Sequence, residues 1–257
     1  MAPMSARALS FTPLPGIPEV QPGDDLAALL AAALGRAGLA LAAGDVLAVT
    51  QKIVSKAEGR LRRLAAVTPS PRAVELAAAT RKDPRLVELI LAESNAVVRT
   101  GPDVLITENR LGMVLANAGI DRSNVAGDED VVLLLPVDPD ASARRLRVAL
   151  EAASGVPLGV LVTDSVGRAW RRGTVGLAIG TAGVLPFEDL RGRPDRAGRA
   201  LQVSEIAPAD SLAAAAVLVM GEAAEATPAV LIRGAAGGGP DTPAATVLRP
   251  RAGDLFR

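Results

Sequence analysis

Apolar residues in this chain switch between alternating and helical spacing several times without settling into a regular strand-then-helix repeat. A doubly wound parallel sheet needs that repeat, so the pattern points to an α+β fold of mixed sheets and helices. Prolines 13, 15, 18 and 22 with Gly16 and Gly23 keep Phe11 to Asp25 extended and irregular, and Asp24 or Asp25 caps a helix reaching about Gly38. Asp45 to Ser55 is β-branched enough for a strand, whereas Pro71 to Thr80 and Arg85 to Asn95 have helical spacing. Val97 to Thr100, Val104 to Glu108 and Met113 to Asn117 read as short antiparallel strands joined by glycine-containing turns. Asp130 to Val137, a helix over Pro139 to Ala153 and a strand over Leu158 to Thr163 resemble one βαβ step. Asp164 to Arg199 carries seven glycines and seven arginines and reads as a long basic loop. Ala207 to Ala226 follows as an alanine-rich helix, Ala229 to Arg233 as a last strand, and Gly234 to Pro243 as flexible linker.

The length, 257 residues, suits one large domain or two small ones. Lys plus Arg and Asp plus Glu balance at 28 each, so no global field favours nucleic acid or a membrane surface. Alanine supplies 50 residues, which leaves the core to Leu, Val and Ile. Its richest runs, Ala27 to Gly44 and Ser211 to Met220, are interrupted by Arg36 or too short to cross hydrocarbon about 30 Å thick. A soluble, cytoplasmic protein is the expectation. The absence of both cysteine and histidine excludes disulfides, Cys or His zinc sites, thiol nucleophiles and histidine bases. Any catalysis must run on carboxylates, amines, guanidiniums, hydroxyls, backbone dipoles or a bound metal.

Three lysines stand among 25 arginines, and two of them, Lys52 and Lys56, share the segment from Val49 to Arg60. At the end of a strand, a compact ammonium can sit on a phosphate where a guanidinium fork does not fit. The third, Lys82, falls on an expected exposed helix. In Leu115 to Asn124, Gly119 permits a tight turn while Asp121, Ser123 and Asn124 bring together oxygens that suit a hard cation such as Mg²⁺. Asp128, Glu129 and Asp130 read as a solvated run. Asp164 is expected at the carboxyl end of a strand, with Ser165 and Arg168 adding phosphate-compatible groups, and the arginines up to Arg199 read as a cradle for an anionic substrate. Gly176 to Gly183 is not G-x-G-x-x-G, and G-x-x-x-x-G-K-[ST] is absent, so neither Rossmann nor P-loop binding is supported.

Seven blocks in order, Gly16 to Val20, Pro22 to Leu26, Val54 to Arg60, Asn117 to Asn124, Asp138 to Arg144, Thr163 to Arg168 and Gly221 to Glu225, resemble the coenzyme F420 gamma-glutamyl ligases. The similarity runs from about residue 11 to 233. It implies a mixed α+β fold in an intertwined homodimer, with a ligase domain over 1–243, in one or two lobes, and a tail or boundary over 244–257. Some members carry a following flavin-binding, nitroreductase-like domain. A free-standing ligase and a piece of the two-domain form both remain open.

The implied activity is GTP-dependent addition of L-glutamate to the lactyl carboxylate of the deazaflavin F420-0, then growth of a gamma-linked tail, through an acyl phosphate. Phosphoryl transfer rests on positioning and charge neutralisation, which a chain without His or Cys can supply. The resemblance assigns the nucleotide to Ile17, Pro18, Glu19, Val20, Gln51, Lys52, Lys56 and Asn124, with Lys56 as the phosphate contact. It completes the site with Met220, Gly221, Glu222, Ala223, Ala224, Glu225, Ala226 and Thr227. Asp121, Asp164, Ser165 and Glu222 would hold Mg²⁺ or Mn²⁺, with K⁺ as a further candidate ion. Lys56, Asp121 and Asp164 form the implied catalytic set. The expected partners are F420-0, L-glutamate and a second copy of the chain, not nucleic acid or membrane. A noncatalytic GTP- and metal-binding module and a metal-dependent phosphohydrolase are the alternatives.

Overall fold

A computed structural model describes residues 8–122 and 129–255. In chain order it contains β1 (Ser10–Pro13), α1 (Leu26–Arg36), β2 (Val46–Thr50), α2 (Gln51–Ala57), β3 (Leu61–Arg63), α3 (Pro71–Thr80), α4 (Pro84–Ala92), β4 (Ser94–Gly101), β5 (Val104–Asn109), β6 (Val114–Ala116) and β7 (Val131–Leu133). It continues with α5 (Pro139–Ser154), β8 (Gly159–Arg168), β9 (Arg171–Ala182), β10 (Glu188–Asp189), β11 (Glu205–Ile206), α6 (Pro208–Met220) and β12 (Ala229–Arg233). The architecture is α+β with several separate sheets.

The largest sheet has the order β1-β12-β2-β8-β9, antiparallel except for the parallel pair β2 and β8. Alternation along β2 sends Leu47 and Val49 to one face and Val46 and Ala48 to the other. The first pair joins Leu30, Leu34, Leu146 and Leu150 from α1 and α5. The second packs on Ala213, Ala216 and Val217 of α6. Both faces are covered, which is why these strands read as continuous apolar runs. Two glycines of β9 set how closely the helices approach: a Cβ at Gly176 would meet the Ala213 carbonyl at 2.4 Å, and one at Gly180 the Pro139 carbonyl at 2.4 Å.

A second core joins α3 and α4 to the β4-β5-β6 sheet through Leu76, Leu86, Ile90 and Leu105. The small β3-β7 pair connects the two halves. Side-chain caps start the helices: Asp25 accepts from Ala28 N–H, Ser70 from Ala73 N–H and Asp138 from Ala141 N–H.

The structure departs from the sequence reading at several places. The strand from Asp45 ends at Thr50, because Ile53 and Val54 bury on one side of a helical turn and Ser55 donates to Gln51 Oε1. The helix from Arg85 stops at Ala92, and the strand ending at Val137 is regular only over Val131–Leu133. That strand pairs with β3, not β8, so the expected βαβ step is absent and β8 lies parallel to β2 instead. The basic loop is largely a hairpin, β8 with β9, followed by β10 and β11. The helix expected to reach Ala226 ends at Met220, where Gly221 takes φ 78°. The glycine-rich linker is pinned: Gly237 N–H donates to Gly44, Gly238 and Gly239 to Gly183, and Asp241 pairs with Arg147 at 2.7 Å. Beyond it, Ala244 donates to Asp140 and Arg251 pairs with Glu108, so this part of 244–257 lies against the domain. Among the described residues no helix is long and apolar enough to cross a membrane.

Candidate functional site

Parallel pairing sets the carboxyl end of β2 beside the middle of β8. Their last rung is Thr50 with Thr163, so Asp164 is the first β8 residue beyond the reach of β2. It does not end its strand, as the sequence reading expected, since β8 continues to Arg168 opposite β9. From Thr50 the chain turns directly into α2, whose four-residue spacing sets Lys52 and Lys56 on one face. These groups wall a cleft of about 280 Å³. Ile17 to Val20 form one side, and the loop from Met220 to Thr227 that follows α6 forms another. Thr50, Ile53, Thr163, Val217 and Pro228 complete the wall, and their small or apolar side chains gave no distinguishing signal in the sequence.

Both lysines of the cleft are paired. Lys56, only 7% exposed, contacts Glu19 at 2.5 Å. Lys52 contacts Asp121 at 2.7 Å. Asp121 is held in place by mutual backbone hydrogen bonds with Leu133, both 2.9 Å. Asp164 is buried and accepts the Ser165 N–H at 3.0 Å. Burial, reinforced by the charges of Asp121 and Glu222, pushes its carboxyl up to about 7, against the opposing pull of the Ser165 N–H and Lys52.

The expected residues divide clearly by position. Ile17, Pro18, Glu19, Val20, Lys52, Lys56, Asp164, Ser165 and the whole of Met220 to Thr227 line the cleft, and Asp121 reaches it through Lys52. Gln51 does not: it is fully buried in α2, with Oε1 accepting from Ser55. Asn124, Ser123 and Asp128 lie outside the described residues. None of the arginines between 168 and 199 lines this cleft, and Arg168 lines a separate cavity. Arg191 pairs with Asp189, Arg193 with Glu188 and Arg199 with Asp195, all partly exposed and away from the cleft wall.

The donor set fits a hard cation. The charge of Asp121 disfavours ionisation of Asp164, and a divalent ion satisfied by one or two carboxylates plus phosphate oxygens relieves that conflict. Among the described residues no group of three or more carboxylates is arranged as a closed metal cage.

Known proteins resemble this chain along most of its length. The family model described as F420-0:Gamma-glutamyl ligase matches residues 16–234. A protein of Methanothermobacter thermautotrophicus named coenzyme F420:L-glutamate ligase is 46% identical over 251 residues, covering 97% of this chain and 99% of that one. Proteins of the same name from Methanopyrus kandleri and Methanocaldococcus jannaschii are 51% and 41% identical, over 88% and 83% of this chain and 87% and 85% of theirs.

Proposed function

The chain belongs to the F420-0:gamma-glutamyl ligase family, and we propose that it uses GTP to join L-glutamate to the lactyl carboxylate of F420-0 and then to extend a gamma-linked tail. The observation that carries this reading is the grouping of Asp164, Asp121, Lys52 and Lys56 at one cleft.

A carboxylate does not react with an amine until one of its oxygens becomes a leaving group. In the proposed route the acceptor carboxylate oxygen attacks the γ-phosphorus of GTP, the bond to the β-phosphate oxygen breaks, and GDP departs. The glutamate nitrogen then attacks the acyl carbon, phosphate leaves with the old carboxylate oxygen, and the amine loses a proton. Lys56 exchanges Glu19 for phosphate oxygens, and Lys52 exchanges Asp121 in the same way. Apolar walls from Ile17, Val20, Ile53 and Val217 exclude water that would otherwise hydrolyse the acyl phosphate. Asp121 and Asp164, with Ser165 and Glu222 nearby, are the residues that would hold Mg²⁺ or Mn²⁺. Such an ion supplies neutralisation of the phosphate charge. The family resemblance supports a homodimer, which light scattering at twice the chain mass would show.

GDP release measured with and without each co-substrate tests the proposal. Release that requires both F420-0 and L-glutamate supports the ligase. Unconditional release identifies a phosphohydrolase, and GTP binding without turnover identifies a sensor.

A further inference from the structure

On the far side of Asp121 lies a second cavity, of about 320 Å³, whose wall includes Arg81, Lys82, Asp83, Asp103, Asn117 and Arg122. Asp121 and Arg122 are consecutive in backbone that pairs in extended form with Leu133, so their side chains leave on opposite sides. The Cα atoms that separate cleft from cavity are about 3.8 Å apart.

Charge here is unevenly matched. Asp103 pairs with Arg81 at 2.5 Å, and Asp83 with Arg85 at 2.6 Å. Among the described residues no carboxylate lies within ion-pair distance of Lys82, and Arg122 donates to the Glu129 carbonyl at 3.1 Å. Lys82 is not on an exposed helix, as the sequence suggested. Helix α3 ends at Thr80, Arg81 adopts φ 54°, and Lys82 is turned in to half-buried surroundings. Burial lowers its pKa, Asp103 opposes that, and Arg122 adds to it, as expected for an ammonium awaiting a counter-charge. Asn117 Oδ1 is buried with no donor among the described residues. The cavity thus offers two cations and one acceptor that a ligand can satisfy.

We propose that this cavity binds one glutamyl unit, its carboxylate on Lys82 and Arg122 and its N–H on Asn117 Oδ1. The inference rests on the ligase reading for the identity of the amino acid, but not for the cavity's anion preference. A carboxylate matches the cations, a γ-glutamyl or amino N–H matches the acceptor, and the adjoining Asp121 places the unit next to the reacting groups. Incoming L-glutamate and a glutamyl residue already on the acceptor share this chemistry.

Lys82→Met, which keeps the apolar stem, tests the assignment. KM is measured for GTP, L-glutamate and monoglutamylated acceptor, and glutarate binding to the GTP-free protein is followed by ligand-observed NMR. The expected result is a rise of about tenfold or more in one KM, the size of one charge-assisted hydrogen bond, with KM for GTP unchanged. A rise for L-glutamate at the first addition identifies the incoming amino acid. A rise confined to the monoglutamylated acceptor identifies the tail. Glutarate binding should fall in parallel, and Lys82→Arg should restore part of both. Unchanged KM values and glutarate binding overturn the inference, as does a lower kcat and melting temperature with every KM intact. Wild-type protein that binds glutarate through Lys82 but ligates nothing keeps the cavity and removes the ligase reading. Normal ligation indifferent to Lys82 does the reverse.

Discussion

The cleft and the cavity lie on the two sides of the Asp121-Arg122 peptide and handle charge in opposite ways. In the cleft each lysine already holds a carboxylate, Lys56 with Glu19 and Lys52 with Asp121, and the buried Asp164 is strained by a like charge. In the cavity Lys82 and Arg122 face a space with no carboxylate committed to them among the described residues. The difference separates two tasks. A polyanion such as a nucleoside triphosphate can displace the carboxylates paired with Lys52 and Lys56 and recover the cost through several contacts. A single carboxylate makes too few contacts to do so and is better met by cations left unpaired.

The largest test of this contrast removes charge from the cleft. Asp121→Asn and Asp164→Asn should each lower turnover about a hundredfold or more and raise the Mg²⁺ or Mn²⁺ needed, read by titrating the ion at saturating substrates. Asp128→Asn, in the neighbouring acidic run, should match wild type. Wild-type metal dependence in both site variants breaks the assignment.

Affinity comes next. Lys56→Ala should raise KM for GTP about ten- to a hundredfold, because a buried charge-assisted contact is lost. Lys56→Arg should rescue poorly, since that side chain is 9% exposed and the guanidinium is broader than the ammonium. Full activity in the Arg variant would falsify the point-charge argument.

Stability gives a smaller signal with a definite sign. Asp164 titrates near 3.8 when unfolded and near 7 when folded and ion-free, so the folded state binds the extra proton. Its effect on stability is nil below about pH 4 and grows unfavourable as pH rises to 7, reaching about 4 kcal/mol at most. Asp164→Asn should therefore be more stable than wild type at pH 8, and the gain should shrink at pH 5, by denaturant melts without divalent ion. A pH-independent difference would show that the carboxyl is already ionised in the folded protein.

The smallest effect belongs to Glu19, which is largely exposed beside its buried lysine. Glu19→Gln should change KM for GTP by less than about threefold, as for most exposed ion pairs. A tenfold loss would mean that this carboxylate contacts the nucleotide itself.

Much of this arrangement is legible before folding, for local reasons. Asp25 caps α1, and prolines start α3 and α5 where the sequence places them. What escapes is decided by distant partners. Nothing between Val49 and Ser55 marks the break at Thr50, because β-branched Ile53 and Val54 suit a strand until packing turns them inward. Glycines 167, 173 and 176 look like loop residues until β9 pairs with β8 and α6 presses on Gly176. At the site, the paired lysines and the two aspartates stand out by chemistry, whereas Glu222 and the loop around it are visible only through family resemblance. Gln51 sits inside α2 instead of in the cleft, as one residue of helical rotation decides. Lys82 is unreadable for a similar reason: the left-handed turn at Arg81 redirects it.

The order of strands in the large sheet also bears on how the protein is made. Both neighbours of β2 come late, β8 from residue 159 and β12 from residue 229, so Val46 to Val49 emerge from the ribosome more than a hundred residues before either partner. Closing so long a loop is slow, and an unpaired apolar strand is prone to stick to its like in the meantime. Lys52 and Asp164 meet only when that closure succeeds, which makes the reacting centre one of the last features of the domain to form during synthesis.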